Sequence, residues 1–138
     1  MAATPFDLFE TTKWPQVKVR FLRTPLDDSE IVKFQDRMCG MLHLALHGSA
    51  HVPKGQLKAM FFIDNIVGAT IMQQLKAAEV IHMVAPMVKE GAIKATAIVV
   101  TSDAARALLT YILSLAPLSS PNQVFDNEAA AGAWLATQ

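Results

Sequence analysis

Two short, almost uninterrupted apolar runs constrain this chain more than any other feature: Leu57-Lys58-Ala59-Met60-Phe61-Phe62-Ile63, and the Ile/Val-rich stretch from Ile93 to Val100. Neither approaches the roughly 18 apolar residues that span a bilayer. A strand with one wet face would alternate with polar residues, and these runs do not. They fit strands covered on both faces, as in a sheet with helices packed above and below. The segments between them have the period of helices, so the chain must be a layered α/β structure.

A third strand is marked by alternation: Val17, Val19 and Phe21 are separated by Lys18 and Arg20. Thr24-Pro25-Leu26 closes it, since proline supplies no ladder donor. Asp27 and Glu30 have capping-box spacing at an acidic helix start. The helix they open runs to about His47, with Ile31, Phe34, Met38, Met41, Leu42 and Ala45 on its core face. Gly48 stops it, and residues 48–56, with Gly48, Ser49, Pro53 and Gly55, read as a loop. A second helix is expected from about Thr70 to Glu90, kinked at Pro86 and ended by Gly91. Thr101-Ser102-Asp103 caps a third, which reaches Leu115 before Pro117. Gln123-Val124-Phe125 is a short last strand, and Asp126-Asn127-Glu128 begins a final helix that turns Trp134 and Leu135 inward. Four strand-then-helix units in succession imply a mainly parallel four-stranded sheet. Residues 1–13 show no period and read as an N-terminal arm before a domain of residues 14–138. Phe6, Leu8 and Phe9, with Trp14 just beyond, make that arm too apolar to float free.

Lys plus Arg number 12, as do Asp plus Glu, so the formal charge is zero. That argues against general affinity for nucleic acid or anionic lipid, and it does little to keep copies apart. The apolar fraction of 52% is high for a small monomer. It reads either as Ala-rich helical composition or as faces that pack on another protein. Cys39 is the single cysteine and cannot form an internal disulfide. A cytoplasmic or other reducing intracellular setting fits better than secretion, and the N-terminus has no signal-peptide pattern.

The segment Ala97-Ile98-Val99-Val100-Thr101-Ser102-Asp103-Ala104-Ala105-Arg106-Ala107-Leu108 is followed by Val124-Phe125 and then by Glu128-Ala129-Ala130-Ala131-Gly132-Ala133-Trp134-Leu135. This order resembles the C-terminal half of STAS-like proteins, relatives of the bacterial anti-sigma factor antagonists (SpoIIAA-like) and of sulfate transporter C-terminal domains. Pro25-Leu26-Asp27, a helix with Phe34 and a buried strand ending in Asp64 match the N-terminal half more loosely. The resemblance spans residues 16–136. It implies a STAS-like fold and a non-enzymatic role in protein binding, as a structural subunit or adaptor with a protein partner, in a hetero-assembly or homo-oligomer. In the antagonists an Asp at a strand end precedes a phosphorylatable Ser or Thr. Here Asp64 is followed by Asn65, which cannot be phosphorylated, so the phospho-switch does not carry over.

Candidate site residues gather where strands end and helices begin. Asp64 and Asn65 follow one buried strand; Thr101, Ser102 and Arg106 follow the next. Free amides at a helix start beside an Arg suit a phosphate or carboxylate, so a small anionic ligand or nucleotide is the alternative reading. Against it, Ser102 reads equally as an N-cap, Arg106 as the partner of Asp103, and no Gly-rich phosphate loop is present. Asp36, Cys39, His43 and His47 are spaced to line one stripe of the first helix, opposite its core face, with His51 near enough in sequence to fold back. These are zinc ligand types, yet one straight helix cannot easily surround an ion. Ser102 with His82, or Cys39 with His43, lacks the surroundings of a hydrolytic site. Met60, Met72, Met83 and Met87 read as core gap-fillers. No cofactor and no catalytic residue are expected.

Overall fold

Strand β1 (Asp7–Lys13) and strand β2 (Gln16–Phe21) open the computed structural model, which describes residues 7–138. Helix α1 (Asp28–His47), β3 (Leu57–Phe62), a short 3-10 turn (Asp64–Gly68) and α2 (Ile71–Lys89) follow. Then come β4 (Ile93–Val99), α3 (Asp103–Leu115), β5 (Asn122–Phe125) and α4 (Glu128–Ala136). The strands form one sheet in the order β1-β2-β3-β4-β5. β2 to β5 are mutually parallel, with Val17 opposite Ala59, Met60 opposite Ala97 and Ile98 opposite Val124.

The sheet has five strands where the sequence suggests four. The addition comes from the expected arm, whose residues 7–13 pair antiparallel with β2, Asp7 lying opposite Phe21. Its period is hidden because adjacent apolar residues serve opposite faces. Phe9 packs on Phe34 of α1 with ring centroids 5.8 Å apart, while Leu8 is exposed. Asp7 is buried and paired with Arg37. Burial pushes its carboxyl up while Arg37 pulls it down, and the net direction is upward. Phe6 and the residues before it lie outside the described residues.

The helix starts are set by the caps legible in the sequence. Asp27 accepts from the Glu30 amide at 2.8 Å while the Glu30 carboxylate accepts from the Asp27 amide at 3.0 Å. Thr70 and Gln73 repeat this box at α2, and Ser102 and Asn127 cap α3 and α4. Gly48 ends α1 with φ +72°, in the left-handed region, and a Cβ there would meet the Lys54 amide nitrogen at 2.7 Å. Pro86 lies inside α2 rather than ending it.

The strand order also decides where the helices go. Each parallel crossover steps one strand in the same direction, so right-handed connections place all the crossover helices on one face. Val17, Val19, Leu57, Ile98 and Val100 point to that face and pack against α1, α2 and α3. Met60, Ala95, Ala97 and Val99 point the other way, under Ala131 and Leu135 of α4, which makes no crossover. Strands lie about 4.8 Å apart, whereas helices need roughly 8–10 Å. Three helices over successive strand pairs are therefore crowded. α1 packs over β1 and β2, α3 packs over β4 and β5, and α2 lies against both helices.

Candidate functional site

The strand-end residues singled out from the sequence do come together, and they bind one another. Asp64 leaves β3 into the 3-10 turn, where its Oδ1 accepts from the backbone amides of Thr101 at 2.7 Å and Ser102 at 2.9 Å. Its Oδ2 accepts from the Thr101 hydroxyl at 2.8 Å. The chain's own carboxylate thus occupies the place an anion would take at the start of α3. Burial pushes the Asp64 carboxyl up. The hydrogen bonds from Ser102 and Thr101, with Arg106 nearby, outweigh it and hold the group below the ordinary carboxylate value.

The other members of this cluster are likewise engaged. The Ser102 hydroxyl accepts from the Ala105 amide at 3.0 Å. Arg106 Nη2 donates to the Val100 carbonyl at 3.2 Å, in place of the expected pairing with Asp103. Asn65 donates to the Phe21 carbonyl at 2.8 Å, and its own carbonyl accepts from the Thr24 hydroxyl. Asn65 therefore ties the 3-10 turn to the end of β2.

Among the described residues no three His, Cys, Asp or Glu side chains converge on a point. The His43 and His47 rings stack, centroids 6.1 Å apart and 6° from parallel, on the exposed side. Cys39 is instead half-buried and packs against the core, while Asp36 is exposed. The stripe was expected to lie wholly opposite the core, but Cys39 belongs to its flank. His82 contacts the Leu115 carbonyl at 3.1 Å, at the far end of α3 from Ser102. A helix that long separates the two by about 18 Å, so they form no catalytic pair.

Two features of α2 were not legible in the sequence. Met72 and Met83, expected in the core, are 65% and 49% exposed, and they share an outward face with Ile71 (71%) and Leu75 (39%). Met60 is buried and Met87 half-buried, as expected. Between α2 and the sheet lies an apolar pocket of about 240 Å³ that is partly open to solvent. On the opposite sheet face, Glu128 pairs with Lys18 at 2.9 Å and with Arg20 at 3.4 Å. The Arg20 guanidinium also lies 3.7 Å from the Phe62 ring centroid. These pairs join α4 to β2 and β3. Among the described residues, no helix is long and apolar enough to cross a membrane.

No protein-family model matches the sequence, and the search of the curated proteins finds no match. Among solved structures, the chain is similar to the crystal structure of an uncharacterized protein of the DUF3478 family, with a SpoIIAA-like fold, from Shewanella loihica PV-4. The TM-score is 0.59, at 14% sequence identity over 98% of each chain. The fold is thus SpoIIAA-like, the α/β architecture of the STAS domains.

Proposed function

We propose that this chain is a non-catalytic binding module, a structural subunit or adaptor that docks on a protein partner, or on a second copy, through the outward face of α2. The observation that carries the reading is the row Ile71, Met72, Leu75 and Met83. One helix face holds four large apolar side chains between 39% and 71% exposed. Scattered surface leucines are ordinary, but Ile71, Met72 and Leu75 cluster at the start of α2, and Met83 continues that face two turns on, past the Lys76–Glu79 ion pair; such a cluster marks a contact surface. Methionines suit such a surface because their flexible thioethers adapt to a partner. Zero formal charge removes a barrier to association.

What supports a non-catalytic role is the state of the candidate reactive groups. Ser102 is used as a helix cap, His82 rests on a backbone carbonyl, and Asp64 is held below its ordinary value by hydrogen bonds where a base would need to be raised. The alternative, a regulatory anion or nucleotide site at Asp64, Asn65, Thr101, Ser102 and Arg106, requires a ligand to displace Asp64 from its amides. That makes it the weaker reading.

Light scattering after size exclusion, together with affinity capture from native extract, tests the proposal. The wild-type chain should self-associate with rising concentration or retain a defined partner. Ile71→Glu and Met72→Glu should abolish that association while leaving the circular dichroism spectrum and melting temperature unchanged. A chain that stays monomeric at high concentration and retains no partner would end this reading.

A further inference from the structure

We infer that the space beneath α2 is a binding site for a small apolar molecule, a hydrocarbon-rich compound of about ten carbon atoms. Its floor is Phe61 and Ile63 of the β3 segment with Ile98 of β4, and its roof is Val80, Ile81 and Val84 of α2. The volume of about 240 Å³ compares with roughly 150 Å³ for an engineered dry cavity that takes up benzene. Scaling six carbons by that ratio gives the ligand size.

Most of the polar side chains of the lining are already committed, Lys76 to Glu79 at 3.1 Å among them. Thr96 and Ser120 hydroxyls bond each other at 3.3 Å. Gln73 donates to the Leu26 carbonyl, and Gln74 to the Ala69 carbonyl at 3.3 Å. The Thr24 hydroxyl donates to the Asn65 carbonyl. A buried water needs two to four polar partners, and these groups have little to offer a water cluster. Apolar walls of this extent gain packing contacts when an apolar guest lies against them. The guest is a small molecule rather than a peptide: α2 roofs the space, and a polypeptide helix about 10 Å across cannot enter without ejecting it.

The test uses the full chain with 1-decanol as probe, followed by thermal shift and calorimetry. Saturable binding is expected, with a melting rise of about 5 °C at tenfold excess over the dissociation constant. Ala77→Leu and Ala85→Leu fill the space from α2. Each should melt higher than wild type without ligand and lose at least tenfold in decanol affinity. Ile71→Glu, on the outer face of the same helix, should bind decanol as wild type does. Should the filled variants fail to fold, methyl NMR of the wild-type chain decides: shifts confined to Ile63, Ile81 and Ile98 support the site, and shifts centred on Ile71 reject it. No response of the wild type up to the solubility limit, or an equal response in Ala85→Leu, overturns the inference.

Discussion

Replacing Asp64 by Ala removes one carboxylate that accepts three hydrogen bonds, two from backbone amides and one from a hydroxyl, at 2.7, 2.9 and 2.8 Å. Hydrogen bonds to a charged acceptor contribute about 1.5–3 kcal/mol each when well buried. Asp64 is only half-buried and Thr101 is exposed, so water replaces part of what is lost. About 1 kcal/mol per bond is the appropriate figure, or roughly 3 kcal/mol in total, including the carboxylate's interaction with the positive end of α3. A domain's whole stability is about 5–15 kcal/mol, so the loss is large. It corresponds to a fall of about 10 °C in melting temperature for a chain of this size. Urea unfolding followed by the fluorescence of Trp14 and Trp134 reads it directly. Asp64→Asn keeps one acceptor and loses the charge, and should fall about midway.

The pH dependence supplies an independent check. Because the folded carboxyl titrates below its ordinary value of 3.8, its stabilisation is complete above that value and is lost as pH falls through the lowered one. The difference between wild type and Asp64→Ala should therefore be full at neutral pH and shrink steadily in acid. A difference below about 0.5 kcal/mol at neutral pH, within the range of ordinary surface changes, would refute the view that Asp64 is the staple between β3 and α3. So would a difference that does not change with pH.

Two further outcomes follow from packing. Leu42→Ala, at a fully buried position where α1 meets the sheet, should cost about 2–5 kcal/mol in urea unfolding. Gly68→Ala places a Cβ 2.6 Å from the Thr24 hydroxyl and 2.8 Å from the Thr24 carbonyl oxygen. It should lower the melting temperature by several degrees through that clash, although the backbone conformation itself suits alanine.

Much of this architecture was written locally. The apolar runs at Leu57–Ile63 and Ile93–Val100 became β3 and β4, two adjacent interior strands, because only a strand covered on both faces uses such a run. Asp27 with Glu30, and Ser102, became caps because a short polar side chain before an apolar period has one favourable use there. The cluster around Asp64 was legible as a set of residues but not as a set of partners. Spacing brings strand ends together without saying that a carboxylate from one will satisfy the amides of the next.

The rest was decided by tertiary structure. β1 gained its place by pairing with β2, and no local period announced it, since Phe9 and Leu8 serve opposite faces. Cys39 joined the flank of the core, and Met72 and Met83 stayed outside it, according to which neighbours reached them. The pocket is bounded by residues of β3, β4, α1, α2 and α3 together, and no single segment announces it. Local sequence determines which segments are strands, helices and caps, because those choices rest on periodicity and nearby hydrogen bonds. Tertiary structure decides which groups are buried, paired or left with space between them, because those depend on residues far apart in the chain.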